Sequence, residues 1–180
     1  MDVHSSLVRR ASAEDATACV AIYRPYVEDT AITFETSVPA PNEMAMRIVA
    51  SRDTHEWLIL EDHDAVVGYA YARAFNPRTA YQWSAETSIY LAHGHHRKGG
   101  GRKLYGQLLR RLTERGYRRA FAGITQPNPA SNAFHQFFGF QSAGLFRHVG
   151  WKNGRWHDVA WMQLDLLGAA EPNGPPSMIT

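Results

Sequence analysis

Cysteine is nearly absent: Cys19 stands alone in 180 residues, which excludes an internal disulfide and any multi-thiolate metal site. A single thiol is what a reducing compartment permits, and a cytoplasmic location is the expectation. No run approaches the roughly 18–20 apolar residues of a membrane span, so no membrane partner is expected. Residues 1–10 lack the apolar stretch of a signal peptide, and an unprocessed chain is expected. An excess of one charge is missing too: 19 Lys and Arg face 17 Asp and Glu, a net of +2. That is too near neutral to indicate a nucleic-acid surface, and no nucleic-acid partner is expected. What is present in quantity is apolar: 44% of residues are hydrophobic, enough for one substantial core. Residues 168–180 are Gly, Pro and Ala rich without periodicity, so the expected organisation is one domain over 1–167 and a disordered tail over 168–180.

Residues 7–10 read as a short strand, and Ser12 and Asp15 have capping-box spacing for a helix running to about Val27. After a loop marked by Pro39 and Pro41, residues 44–49 form a second short helix. Residues 57–61 and 65–74 flank a turn at 62–64 and read as an antiparallel hairpin. A strand over 84–91 runs into a glycine-rich loop. Leu104, Tyr105, Leu108, Leu109 and Leu112 then share one helical face, opposite Arg102, Lys103, Arg110, Arg111 and Arg115. A strand over 119–124 precedes a helix carrying Ala130, Ala133, Phe134, Phe137 and Phe138, stopped at Gly139. Strands over 141–151 and 155–166 turn at Asn153-Gly154. The pattern implies an α/β fold of mixed α+β character: a central mixed, mostly antiparallel sheet flanked by helices.

Between positions 93 and 111 there is no acidic residue, while His93, His95, His96, Arg97, Lys98, Arg102, Lys103, Arg110 and Arg111 crowd around Gly99, Gly100 and Gly101. Cations at a helix N-terminus oppose the macrodipole, so the placement calls for an anion. Glycines let backbone N–H groups close around a phosphate, and the first helical turn points its free N–H groups at it. A pyrophosphate cradle is the sharp interpretation; a solvated basic loop is the bland one. A Walker A sequence and a G-x-G-x-x-G fingerprint are both absent. The three histidines lack a carboxylate or thiolate neighbour in the loop, and no metal is expected.

At these residues the chain resembles the GNAT superfamily of acetyltransferases, whose signature Q/R-x-x-G-x-G/A lies between a strand and a helix; His96, Gly99 and Gly101 occupy it here. The resemblance narrows to the phosphinothricin acetyltransferase branch through Ala80-Tyr81-Gln82-Trp83-Ser84-Ala85-Glu86, residues 127–135 and Gly154-Arg155-Trp156-His157-Asp158-Val159, and spans about 8–166. It departs from the pattern at His96, where Gln or Arg is usual, and at Phe140, where some members have Tyr. The resemblance implies a single GNAT-like domain, acetyl-CoA as co-substrate, a small amino-acid-like amine as acceptor and a homodimer.

An alkylammonium must lose a proton before its nitrogen attacks a thioester. Glu86 is the candidate base: partial burial beside Trp83, Ile89 and Tyr90 would make it a better proton acceptor, and it matches the branch's carboxylate. The alternative is an edge-strand glutamate. His135 falls where many relatives place the Tyr that protonates the leaving thiolate; an acid or substrate-orienting role stands against a packed structural histidine. By resemblance Asn128 bonds the cofactor arm, with turn chemistry as its alternative. Backbone donors over Ile89, Tyr90 and Leu91 serve a carbonyl that gathers negative charge, and the cofactor-binding set is completed by His96, Arg97, Lys98, Gly99, Gly100, Gly101 and Arg102. For the acceptor, Arg78 suits a carboxylate or phosphinate, Tyr81 accompanies it, and Phe34 resembles the branch's aromatic wall. Arg73, Arg147 and Lys152 are further candidates for the acceptor whose default reading is surface charge, and Trp151, Trp156 and Trp161 read as core or dimer contact. A protein or ribosomal N-terminal acetyltransferase, and a catalytically silent acyl-CoA-binding domain, are the competing functions.

Overall fold

A computed structural model describes residues 6–178; residues 1–5 of the expected domain and 179–180 of the expected tail lie outside them. The elements are β1 (Leu7–Arg10), α1 (Ala16–Asp29), α2 (Pro41–Arg52), β2 (Glu56–Asp62), β3 (Ala65–Ala74), β4 (Ser84–Leu91), α3 (Gly100–Glu114), β5 (Arg119–Gln126), α4 (Pro129–Phe137), β6 (Gln141–Lys152) and β7 (Arg155–Asp165). The strands form one seven-stranded sheet in the order β1-β2-β3-β4-β5-β7-β6. Its neighbours pair antiparallel except β4 and β5. The mixed, mostly antiparallel sheet expected from the hydrophobic pattern is the one observed.

Strand alternation divides the core into two layers. On one face Ala85, Ile89 and Leu91 of β4 meet Leu104, Leu108 and Leu112 of α3; on the other Tyr69 and Tyr90 meet Cys19, Tyr23 and Val27 of α1 and Met44 and Ile48 of α2. Leu104, Leu108 and Leu112 are fully buried, and each contributes about 1.5–3 kcal/mol. α2 is longer than residues 44–49 because Pro41 opens the helix, where its missing N–H costs nothing, and does not end the loop. Asn153 and Gly154 both have positive φ, 52° and 73°, as a two-residue hairpin turn requires.

Trp151 and Trp156 lie outside the core, 58% and 56% exposed, and pack edge-on against each other on the edge hairpin. Residues 168–178 contain no helix or strand and lie against the body. Trp83 Nε1 donates to Gly174 O (2.8 Å), Arg115 Nε to Ser177 O (2.9 Å) and Arg118 Nη2 to Glu171 O (3.3 Å). A Pro- and Gly-rich segment keeps its carbonyl acceptors, and these side chains supply the donors.

Candidate active site

β4 and β5 are paired over three residue pairs, Ser84–Arg119 to Glu86–Phe121, and then part. Thr87 stands at the fork. Its hydroxyl donates to Phe121 O (3.0 Å) and therefore accepts from the Tyr105 hydroxyl (2.7 Å). Beyond it opens a narrow cleft lined by Ser88, Ile89, Tyr90, Gly123, Ile124 and Thr125, with Ile32 on one side of the sheet and Asn128, Ser131 and His135 on the other. Ala92 N–H donates to Val67 O (2.8 Å), so the alternation of the antiparallel ladder turns Tyr90 toward β3 and Ile89 and Leu91 toward the cleft. Of the three expected backbone donors, the N–H of Tyr90 is thus committed to the sheet. The Leu91 peptide is met by the Tyr26 hydroxyl, which donates to Leu91 O (2.7 Å) and lies 3.4 Å from both Leu91 N and His96 Nε2.

The glycine loop leads from this cleft into α3. Gly99 is the N-cap with φ +85°, offers no side-chain cap, and the first turn holds no acid, so the first-turn N–H groups remain open to an anion. A Cβ on Gly100 would sit 2.8 Å from Leu60 Cδ2, and one on Gly101 3.0 Å from Leu91 Cδ1, so a side chain at either position would push a leucine methyl of the sheet aside. His96, Arg97 and Lys98 are exposed on the loop. Burial, with the charges of His93, His95 and Arg97, lowers the His96 pKa. The Arg102 guanidinium lies 4.0 Å from the Phe137 ring centroid, a cation–π contact on the α3–α4 surface. An uncapped helix start, a left-handed glycine, clustered cations and an adjoining cleft where β4 has left its pairing with β5 together fit the pyrophosphate and arm of acetyl-CoA. Among the described residues no group of three His, Cys, Asp or Glu could hold a metal ion.

On the α4 side, His135 is 4% exposed and lined edge-on by Tyr105 and Phe140. Its Nδ1 lies 2.8 Å from Ser131 O; a carbonyl only accepts, so Nδ1 carries the proton and Nε2 presents a lone pair. Burial lowers its pKa, only partly offset by that hydrogen bond, and the ring is neutral at pH 7. Asn128 N-caps α4, its Oδ1 accepting from Ser131 N (3.1 Å) while the residue also lines the cleft.

The opposite, α1–α2 face carries Glu86, whose side chain is 17% exposed. Its Oε1 accepts from Arg73 Nη2 at 2.8 Å, because antiparallel register sets the two residues side by side. Oε2 accepts no hydrogen bond from a described residue. Phe34 arches over β6: its ring occupies the space that a Cβ on Gly150 would need, 2.1 Å away, and tilts against His157. Lys152 Nζ fixes the same loop by donating to Thr33 O (2.8 Å). Arg78 and Tyr81 lie exposed on the turn into β4, Tyr81 against Phe75 and the Arg78 backbone N–H on Asn76 Oδ1; neither lines the cleft. Arg73 lines a second cavity of ≈ 440 Å³ beneath α2, with Glu35, Arg47, Trp57, Tyr69 and Tyr71. Sequence reasoning missed Tyr26, Thr87 and Tyr105, and held Arg73 only as a secondary candidate. Hairpin register carried a signal for Arg73 alone.

Residues 8–161 match the family described as acetyltransferase (GNAT) domain. The chain is 34% identical over 165 residues to a phosphinothricin N-acetyltransferase of Streptomyces viridochromogenes, covering 92% of this chain and 90% of that one. It is 33% identical to an L-methionine sulfoximine/L-methionine sulfone acetyltransferase of Pseudomonas aeruginosa, covering 90% and 95%. Among solved structures it resembles a phosphinothricin acetyltransferase from Sinorhizobium meliloti in complex with acetyl-CoA, with a TM-score of 0.90, 38% identity, and 94% and 95% of the two chains covered.

Proposed function

The chain belongs to the GNAT family of acetyltransferases, and we propose that its Glu86 takes the proton from the acceptor amine on the α1–α2 face of the β4–β5 cleft. It is an acetyl-CoA-dependent N-acetyltransferase acting on a small, amino-acid-like amine. Acetyl-CoA supplies the acetyl group as an activated thioester. The N–H groups at the start of α3, with Gly99, Gly100 and Gly101 and the cations His96, Arg97, Lys98 and Arg102, hold the pyrophosphate. Ile89 offers its N–H along the cleft, Leu91 shares its N–H with the Tyr26 hydroxyl, and Asn128 offers its amide. The observation that carries the base assignment is Glu86 at the fork, with Oε1 fixed by Arg73 and Oε2 left to accept a proton. His135 acts as an orienting acceptor: a neutral ring with its proton on Nδ1 has no proton to give from Nε2. Phe34 borders the acceptor, while Arg78 and Tyr81 stand on the exposed turn outside the cleft.

Exposed Leu145, Phe146, Val149, Trp151 and Trp156 on the edge hairpin support pairing of two copies there. No described helix is long and apolar enough to cross a membrane, and the one cysteine is buried and free; both fit a cytoplasmic enzyme. The test is thiol release from acetyl-CoA with phosphinothricin, methionine sulfoximine, methionine sulfone, ordinary amino acids, a polyamine and a short peptide, using wild type and Glu86→Gln. Turnover on the amino acids and their analogues that Glu86→Gln loses while binding CoA supports the assignment. Turnover retained in Glu86→Gln removes the base, and turnover on the peptide alone replaces the acceptor class.

A further inference from the structure

We infer that Arg73 is the residue that selects the acceptor: one guanidinium positions Glu86 and at the same time binds a carboxylate on the carbon that bears the amine. The inference rests on Glu86 as the base. The pair Arg73–Glu86 is a cation beside an anion, the complement of an amino-acid zwitterion. Glu86 Oε2 faces the ammonium, and the Arg73 donors not spent on Oε1 face the carboxylate.

The other cations on this face are committed elsewhere. Arg47 donates to Glu35 at 2.6 and 3.2 Å and to Glu43 at 2.5 Å, so two carboxylates already neutralise it. Lys152 is buried and holds Thr33 O. Arg73 spends one N–H on Glu86, and its Nε and Nη1 make no bond to a described residue; its side chain is 59% exposed against 17% for Glu86. It also lines the ≈ 440 Å³ cavity walled by Trp57, Tyr69 and Tyr71, which offers room for the acceptor's side chain. Nη2 keeps a second N–H besides the one on Glu86, and with its free neighbour on the guanidinium fork it suits a carboxylate or phosphinate. An α-amino acid presents both charges from one carbon and meets both partners together. A plain amine leaves Arg73 unmatched, and a peptide N-terminus presents an uncharged amide where the carboxylate belongs. The site therefore distinguishes a free amino acid from a protein terminus.

The test compares the α-amino acid turned over fastest in the panel with its decarboxylated amine, in wild type, Arg73→Gln, Arg73→Lys, Arg78→Gln and Glu86→Gln, after confirming unchanged melting and CoA binding. Wild type should favour the amino acid by about 10- to 100-fold in kcat/KM, the size of one charge-assisted contact. Arg73→Gln should lower kcat on both acceptors alike, because Glu86 loses its orientation, and raise KM for the amino acid alone, so the preference falls toward one. Arg73→Lys should restore part of it. A preference unchanged in Arg73→Gln, or one lost in Arg78→Gln instead, overturns the assignment, as does a wild type with no preference. Glu86→Gln reports separately: retained turnover there removes the base while leaving the Arg73 comparison readable.

Discussion

Thr87→Val changes one hydroxyl for a methyl of nearly the same shape at the point where β4 and β5 part. The Tyr105 hydroxyl, on a fully buried side chain, then loses its acceptor, and Phe121 O loses a donor. A stranded buried hydroxyl costs about 1–3 kcal/mol, which in a domain of this size lowers Tm by roughly 2–4 °C per kcal/mol. Tyr105→Phe alone leaves Thr87 bonded to Phe121 O and should cost about 1 kcal/mol. In the Tyr105→Phe background no hydroxyl is stranded, so Thr87→Val should cost less there than in wild type, with a coupling of about 1 kcal/mol or more. Urea denaturation of the four proteins measures the cycle. Equal cost of Thr87→Val in both backgrounds, or no cost in either, would refute the hydrogen-bonded fork.

Gly99→Ala places a side chain at φ +85°, a strain of about 1–2 kcal/mol. If the loop moves to relieve it, the CoA dissociation constant should rise roughly 5- to 30-fold, and unchanged affinity by calorimetry would sink the cradle. The lowered pKa of His96 in the free protein implies proton uptake when an anion binds beside it, since the anion favours the charged ring. CoA affinity should therefore strengthen as pH falls through the ordinary histidine range, more in wild type than in His96→Gln; an equal observed binding enthalpy in two buffers of different ionisation enthalpy would show no proton uptake and contradict this. Ending the chain after Leu167 removes the carbonyls that Trp83, Arg115 and Arg118 Nη2 bond, at about 1–3 kcal/mol. An unmoved denaturation midpoint would mean that this segment is unattached.

The polypeptide's local chemistry made several features legible without coordinates. Leu104, Leu108 and Leu112 announce a buried helical face by spacing, Asn153-Gly154 a hairpin, and three glycines among cations at a helix start an anion site, because propensity, periodicity and charge are local quantities. The boundary of α2 was misjudged because Pro41 carries the same identity in a loop and at a first helical position, and neighbours alone do not say which. Arg73 looked like surface charge because its partner lies thirteen residues away, across a strand register that must be built before the two meet. The parting of β4 and β5, the Tyr105–Thr87 bond, Tyr26 against the Leu91 peptide and the Nδ1 proton of His135 were decided by the tertiary structure alone. Each depends on which groups long-range packing brings within hydrogen-bond reach. The sequence by itself determined which elements would form and where an anion would be welcome; the assembled sheet decided which oxygen is free to take a proton and which cation stands beside it.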